Sequence, residues 1–359
     1  MRLLPTLTCA LLACVGLLAS GLSAPPAAAA SPAHCSEIDL PVSVPTPRET
    51  MHGQLCTPVG RAPSTVQLLV HGATYSHLYW DFPYQPERYS YQRDMARHGY
   101  ATFAVDRLGT GQSSKPPSVT LLDSVEAASI HQMVGHLRAG RVGGMRFDRI
   151  ILVGHSLGAG VATVEAATYH DVDGVILTDT SHLVSALAAV NGPTVYTHPV
   201  ILDPQLRHRG SDPGYVTTRP GFRPVFYEAS DADPQVIATD DATKDQLSLI
   251  GFGLILTFGD EGPASLRIDV PVLLGVGEKD FAFCGFLSRD CSSAEAFRKQ
   301  EAPYFAPAAK LSTFVLPGAG HSIALHRNAG EYRDATRAWL RARFGGASES
   351  RDVSRVETR

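Results

Sequence analysis

The segment ILVGHSLGAG (Ile151–Gly160) constrains the fold more than any other part of this 359-residue chain. A short apolar run ends at Gly154, and Ser156 lies between two glycines at the start of a second small-residue stretch. This order is typical of a sharp turn from a strand into a helix, because larger side chains two positions from the central residue would collide with neighbouring elements. We therefore predict a strained backbone at Ser156 and a hydroxyl above a sheet, at a helix N-terminus.

Apolar runs and helical segments alternate on both sides of this turn. The runs that predict strands are TVQLLVHG, YATFAVD, RIILVG, DGVILTD, VPVLLGVGEKD and LSTFVLPGAGH. The segments that predict helices are RYSYQRDMARHGY, LLDSVEAASIHQMVGHLRAG, AGVATVEAATYH and EYRDATRAWLRARF. This alternation predicts an α/β fold whose mostly parallel sheet is covered by helices on both faces. The proline-rich segment 31–63 predicts edge strands or an extended entry segment.

The alternation stops in the middle of the chain and resumes near the C-terminus. Residues 181–265 are too many for a loop, so we predict a cap inserted into a core of residues 31–180 and 266–346. After Gly346 the sequence is charged and poor in apolar residues, which predicts a disordered tail over 347–359.

Residues 1–30 have the three parts of an export signal. A positive start is followed by the apolar stretch LLPTLTCALLACVGLLASGL and then by the small residues APPAAAAS, which predicts cleavage near Ala30 and secretion. Two alternatives are an uncleaved membrane anchor and lipoprotein anchoring at Cys14. With the signal removed, no stable membrane insertion is expected.

Cysteine content and charge narrow the protein class further. Cleavage leaves Cys35, Cys56, Cys284 and Cys291, and an even number in an exported chain favours disulfides. Three pairings are possible, of which proximity favours Cys35–Cys56 and Cys284–Cys291. No Cys-x-x-Cys or clustered histidine spacing predicts a metal site. A net charge of -4 without a basic stripe argues against a nucleic-acid partner.

Two segments after later strands provide the partners that a serine nucleophile needs. GEKD places Asp280 after one predicted strand, and GAGHS places His321 after the last. A hydroxyl needs a base such as histidine, and the histidine needs a carboxylate to fix its tautomer. We predict that Ser156, His321 and Asp280 meet at the carboxyl edge of the sheet, where substrates bind in such folds. Asp179, at the end of GVILTD, is the alternative acid.

The segment HGATYSHLYW predicts a loop beside the nucleophile. Gly72 permits a close backbone approach, and the backbone N–H groups of Ala73 and Leu157 are the predicted oxyanion donors. Trp80 is predicted to pack this loop against the core. The side chains predicted to contact substrate are Thr74, Tyr75 and His155.

Together these motifs resemble the α/β-hydrolase superfamily, in its secreted serine esterase and lipase-like branch. The shared patterns are His-Gly-x7-Trp, Asp-x-x-Gly-x-Gly-x-Ser in DRLGTGQSS, Gly-His-Ser-x-Gly, and the late Asp and His, over roughly Gln67–Phe344. The resemblance implies two-step acyl transfer without a metal or organic cofactor. Relatives with aspartate at the nucleophile position open epoxides or cleave carbon–halogen bonds, and Ser156 argues against both reactions.

The predicted substrate is a small carboxylic ester, thioester or lactone with an apolar part. The apolar cap segment LSLIGFGLILTFG supports this prediction, as do cap aromatics that could instead form the cap's own core: Tyr196, Tyr215, Phe222, Phe226 and Tyr227. One alternative is a secreted exopeptidase that holds a substrate ammonium with the acidic stretch EASDADPQVIATDDATKD. Another is a non-catalytic binding protein on the same fold.

Overall fold

The computed structural model describes residues 33–60, 62–252 and 263–347. The predicted signal peptide with Cys14, residues 348–359 of the predicted tail, and residues 253–259 of the apolar cap segment lie outside the described residues. Within the described residues, no helix combines the length and apolar character that a membrane crossing requires.

Strands and helices alternate along the described chain as the sequence predicts. The strands are β1 (Ala33–Val42), β2 (Glu49–Pro58), β3 (Thr65–Val70), β4 (Ala101–Val105), β5 (Arg149–His155), β6 (Gly174–Thr178), β7 (Thr197–Pro199), β8 (Tyr215–Thr218), β9 (Gln246–Ser248), β10 (Val272–Gly277) and β11 (Ser312–Leu316). The helices are α1 (Pro86–Tyr89), α2 (Tyr91–Arg97), α3 (Asp123–Arg138), α4 (Leu157–Tyr169), α5 (Ala186–Asn191), α6 (Pro234–Ala242), α7 (Ala294–Glu301) and α8 (Ala329–Phe344).

An eight-stranded sheet with the order β1-β2-β4-β3-β5-β6-β10-β11 forms the centre of the molecule. β1 and β2 form an antiparallel hairpin, and β2 pairs antiparallel with β4. The remaining neighbours are parallel, so the carboxyl ends of β3, β5, β6, β10 and β11 lie along one edge. The predicted α/β-hydrolase fold is confirmed.

Helices cover both faces of this sheet, which explains why its central strands are mostly apolar. In β5, Ile150 and Leu152 belong to the core on the α3 and α4 side. Ile151 and Val153 belong to the opposite core, together with aromatic residues of α2 and α8. Because successive strand side chains point to opposite faces, a strand buried on both faces is apolar at most of its positions.

A second, smaller sheet lies in the chain between β6 and β10. There β7, β8 and β9 pair antiparallel, with α5 before them and α6 between β8 and β9. We call residues 179–271 the β6–β10 connection; it contains the segment that the sequence predicts to be a cap. The cap boundaries themselves stay a prediction.

Two disulfides join the four cysteines outside the predicted signal. Cys35 and Cys56 link directly opposite positions of β1 and β2. Cys284 and Cys291 close a short loop after β10. These are the two pairings that proximity in the sequence favours.

Candidate active site

Ser156 lies at a sharp turn between β5 and α4. Its backbone has φ 52° and ψ -119°, the strained conformation that the sequence predicts. A Cβ atom on Gly154 would collide with the carbonyl oxygen of Gly158, and one on Gly158 would collide with the carbonyl oxygen of Val70. The two glycines therefore allow the strand, the turn and the helix to approach closely enough to hold Ser156 in this position.

The structure brings His321 and Asp280 to Ser156. The Nε2 atom of His321 lies 2.8 Å from the Ser156 Oγ, and its Nδ1 lies 2.9 Å from Asp280 Oδ2. The other oxygen of Asp280 accepts a hydrogen bond from the Ala282 N–H at 2.8 Å. With the Nδ1 proton donated to Asp280, Nε2 is free to accept the serine proton, as a general base requires.

Asp179, the alternative acid, also lies at the carboxyl edge of the sheet, but its contacts differ from those of Asp280. Its carboxylate accepts hydrogen bonds from the N–H groups of Gly277, at 3.1 Å, and Ile323, at 3.2 Å. Burial and the neighbouring Asp280 raise the pKa of Asp179 well above its ordinary value. Asp179 therefore ties together the loops that carry Asp280 and His321, and in this structure Asp280 is the acid bonded to His321.

The loop after β3 passes beside the nucleophile. A Cβ atom on Gly72 would lie 2.9 Å from His155 Cδ2 and 3.1 Å from Ser156 Cβ, so glycine permits this approach. Ala73 lines the cavity next to Ser156, and Leu157 is the first residue of α4. Trp80 is fully buried beneath the loop.

The predicted substrate contacts divide into two groups. Thr74 lines the cavity, whereas Tyr75 and His155 do not line it and are buried. The Tyr75 hydroxyl lies 2.7 Å from the Ser322 Oγ, and the ring of His155 stacks on Tyr79 at 4.3 Å. The rings of Tyr75 and His155 pack together in the core beneath the nucleophile, and contact of these two residues with substrate stays a prediction.

Arg223 is a buried residue of the site that sequence reasoning missed. Its guanidinium binds both oxygens of Asp240 at 2.8 Å, and its Nη1 donates to the Thr74 Oγ1 at 2.6 Å. The guanidinium also lies 4.1 Å from the centre of the Tyr75 ring. Arg223 thus connects the β6–β10 connection to the loop that carries Ala73. An isolated arginine gives no sequence signal of such partners.

Two cavities open next to Ser156. The first has an apolar lining, to which Ala73, Val184, Tyr196, Phe226, Phe281 and Phe283 contribute. The second has a more polar lining that includes Thr163, Thr180, Ser181, His182, Ser265 and Glu301. Of the predicted cap aromatics, Tyr196 and Phe226 line the first cavity. Tyr215 and Tyr227 are buried instead. The Tyr215 hydroxyl donates to the backbone carbonyl of Pro116, and the Tyr227 hydroxyl donates to Asp240.

A second serine–histidine–carboxylate set lines the polar cavity. The Nε2 of His182 lies 2.7 Å from the Ser265 Oγ, and its Nδ1 lies 2.6 Å from Glu301 Oε2. The Ser265 hydroxyl donates to the Tyr304 carbonyl at 2.7 Å, so its proton is not available to His182 as a base would require. Ser265 is in a short 3₁₀ helix and not at a strand-to-helix turn. Of these two serines, Ser156 alone combines a base with a nucleophile turn.

Several side chains that could bind a metal ion lie in groups away from Ser156. Among the described residues the groups are Cys35, Cys56 and Asp81, with both cysteines in a disulfide; Glu37, His52 and His77; and His131, Glu165 and Asp171. None of these groups contains a residue of the serine–histidine–aspartate set.

Comparisons with known proteins agree with the observed fold. The family described as the alpha/beta hydrolase family matches residues 67–335 of this chain. No curated protein matches the chain in sequence.

Solved structures share the fold at low sequence identity. A soluble variant of monoglyceride lipase from Saccharomyces cerevisiae is 17% identical over 82% of this chain and 92% of its own, with a TM-score of 0.58. A thermostable carboxyl esterase from Bacillus coagulans is 16% identical over 86% of this chain and 99% of its own, with a TM-score of 0.58. An N-acyl homoserine lactonase is 12% identical over 86% of this chain and 98% of its own, with a TM-score of 0.55.

Proposed function

Because this chain belongs to the alpha/beta hydrolase family, we propose that it is a secreted serine hydrolase that cleaves carboxylic esters, thioesters or lactones. The observation that carries the proposal is the contact of His321 Nε2 with the Ser156 Oγ at 2.8 Å, with Asp280 at 2.9 Å on the other side of the ring. This arrangement activates an alcohol as a nucleophile.

In the proposed acylation step, the Ser156 Oγ attacks the substrate carbonyl carbon while His321 Nε2 takes the hydroxyl proton. The negative charge on the carbonyl oxygen is stabilised by the backbone N–H groups of Ala73 and Leu157, the second of which is also at the N-terminus of α4. His321 then gives its proton to the leaving oxygen or sulfur as the bond to the carbonyl carbon breaks. An acyl group remains on Ser156.

In the proposed deacylation step, water gives a proton to His321 and its oxygen attacks the acyl carbon. The tetrahedral intermediate collapses, the bond to Ser156 breaks, and the serine recovers its proton from His321. Asp280 steadies the imidazolium in both steps. The residues present accomplish both proton transfers.

The apolar cavity favours a substrate with one hydrophobic arm. Its lining contains aromatic rings from both sides of the site, among them Phe226, Phe281 and Phe283, and the ring centres of Phe226 and Phe281 lie 6.1 Å apart. Burial of each additional methylene here contributes about 0.8 kcal/mol. We expect kcat/KM to increase with the length of the apolar arm until the cavity is filled.

An ester is favoured over a peptide because carboxylates of the acidic stretch already have partners. Asp240 is paired with Arg223, and Asp245 with Arg209. Neither carboxylate lines the apolar cavity. A free amino terminus entering there would therefore lack a counter-charge from either residue.

Secretion is part of the proposal and rests on the N-terminal sequence together with the two disulfides. Disulfides persist outside the reducing cytosol. N-terminal sequencing of protein recovered from culture medium should identify a mature chain that starts near Ser31.

The decisive experiment compares two serines that each face a histidine and a carboxylate. Ser156→Ala should fold normally but lose labelling by a fluorophosphonate probe and about 10⁶-fold in kcat on p-nitrophenyl esters. Ser265→Ala is the matched control and should keep both labelling and turnover. Retained turnover in the first variant, or loss in the second alone, would contradict the assignment.

A substrate panel separates the chemical classes. p-Nitrophenyl esters of graded acyl length, the corresponding thioesters, lactones and aminoacyl anilides should be tested with the same preparation. We expect esters to be cleaved and anilides to be resistant. Failure of the fluorophosphonate probe to label Ser156, together with no turnover of any panel member, would favour a binding protein instead.

A further inference from the structure

Three potential ligand side chains meet at the C-terminal end of α4, away from the candidate active site. Glu165 lies on α4, Asp171 follows that helix, and His131 lies on the neighbouring helix α3. One ligand atom from each side chain lies within 4.8 Å of one from each of the others. The His131 Nδ1 is 2.7 Å from Asp171 Oδ2.

Three of the four carboxylate oxygens of this cluster lack a hydrogen-bond donor in the described part of the chain. Glu165 is fully buried, and neither of its carboxylate oxygens has a hydrogen-bond partner in the described part of the chain. The Oδ1 of Asp171 is likewise buried without a partner. A buried carboxylate with no donor is unfavourable by several kcal/mol unless a charge or proton compensates it.

The basic groups nearby have other partners. Arg138 donates to Asp173 Oδ2 at 2.7 Å and to the backbone carbonyl of Asp171 at 3.2 Å. His170 faces Asp269, with its Nδ1 3.2 Å from Oδ2. In these contacts neither side chain bonds the unpartnered oxygens, so the compensating group has to come from outside the chain or be a shared proton.

We propose that Glu165, Asp171 and His131 bind a divalent transition-metal ion, Zn²⁺ or Mn²⁺, at this position. Ligands about 2 Å from one ion lie about 3 Å from each other, which the His131–Asp171 contact approaches. An imidazole with two carboxylates suits Zn²⁺ or Mn²⁺ better than Mg²⁺ or Ca²⁺, which prefer oxygen ligands alone.

The surroundings fit an ion that water can reach. The side chains of His131 and Asp171 are 41% and 26% exposed, so water can enter and complete the coordination shell. The imidazole of His131 also stacks on Tyr169 at 3.9 Å, which limits its rotation. Such an ion would fasten α3 to the end of α4, the helix that begins next to Ser156.

The test measures metal binding by the full secreted chain after treatment with a chelator. The decrease in the electron paramagnetic resonance signal of free Mn²⁺ on addition of the protein should correspond to one bound ion per chain. Zn²⁺ at about a hundred times its dissociation constant should raise Tm by several degrees, whereas the same concentration of Mg²⁺ should not. Glu165→Gln and His131→Ala should each weaken Mn²⁺ binding at least about tenfold.

A control variant separates binding at this cluster from binding elsewhere on the chain. Asp269→Asn removes a nearby exposed carboxylate outside the cluster and should bind Mn²⁺ like the unmodified chain. His131→Ala removes a half-exposed ring, so it serves even if Glu165→Gln fails to fold. The proposal is overturned if the unmodified chain binds neither ion at millimolar concentration, because Glu165 and Asp171 then share a proton. It is also overturned if both cluster variants retain full binding.

Discussion

The two buried aspartates near His321 differ in what they contact, and this difference predicts their mutational effects. Asp280→Asn should lower kcat about 10⁴-fold, because an amide cannot hold the imidazole in the required tautomer. Asp179→Asn should remain within about tenfold of the unmodified enzyme, because Asp179 bonds backbone N–H groups and not His321. Ester hydrolysis with purified variants checks both, and the reverse order of effects would reassign the acid.

Another single residue, the buried His71, leads us to expect that the stability of the protein depends on pH. Burial, followed by the charge of Arg107, lowers its pKa from 6.5 to about 3. Between these values the unfolded chain takes up a proton that the folded chain does not. Stability from this residue is therefore complete above about pH 6.5 and declines by about 1.4 kcal/mol per pH unit as the pH falls towards 3.

Urea unfolding at several pH values measures this decline. The free energy of unfolding of His71→Gln should fall less steeply with acid, leaving a difference of about 2 kcal/mol in pH dependence near pH 5. Thr110→Ser, which keeps the hydroxyl beside the ring, is the control and should follow the unmodified slope. Parallel slopes for all three proteins would show that His71 is not the titrating group.

The residues of the candidate site were predictable from the sequence where they follow a recognisable strand. Ser156, Asp280 and His321 each follow a continuous apolar run, so their place at the sheet edge follows from the strand pattern. The burial of the Tyr75 and His155 rings was not predictable, because position beside a motif does not tell which way a ring points. Arg223 gave no signal, since its partners come from Thr74 and Asp240.

At the scale of elements, the two disulfides should have different effects on stability and activity. Chain entropy predicts that the Cys35–Cys56 bond, with a sequence separation of 21, stabilises by about 3.4 kcal/mol. The Cys284–Cys291 bond, with a separation of 7, should stabilise by about 2.5 kcal/mol. Only the second lies in the loop after Asp280, which is four residues before Cys284.

Paired serine variants test this comparison. Replacing Cys35 and Cys56 should lower Tm more, whereas replacing Cys284 and Cys291 should lower kcat more, because the acid loses the support of its loop. Thermal unfolding and ester hydrolysis of both double variants give the two rankings. If the Cys284–Cys291 variant kept full kcat, the disulfide would have only a role in stability.

Elements differ in how clearly the sequence predicts them. The core strands are continuous apolar runs bounded by turn residues, and the predicted runs coincide with β3, β4, β5, β6, β10 and β11. By contrast, β7 and β9 have three residues each and β8 has four. A period of two cannot be recognised over so few positions, so the small sheet had to come from the structure.

At the scale of the whole molecule, the contacts of Arg223 lead us to expect that the β6–β10 connection and the nucleophile loop hold each other in position. Arg223→Met should lower stability by about 3–5 kcal/mol, because it leaves the buried Asp240 carboxylate without its counter-charge. It should also lower kcat, because Thr74, which follows Ala73 in the nucleophile loop, loses the guanidinium that holds it in position. Urea unfolding and hydrolysis below the unfolding temperature measure the two effects separately.

The double variant Arg223→Met with Asp240→Leu is the control for the buried charge. It should recover part of the lost stability, because the unpaired carboxylate is gone, but not kcat. If the single variant kept full kcat while folded, the network would stabilise the connection without positioning the loop.

Ser156 borders two cavities of opposite character, and this has a kinetic consequence if the proposed acyl-enzyme forms. An acyl chain held among the aromatic rings stays in place while the departing alcohol diffuses out through the threonine- and serine-lined side. The vacated side then becomes the entrance for the second reactant. Small alcohols that fit there would compete with water for the acyl group, so the same geometry that hydrolyses an ester would also exchange its alcohol.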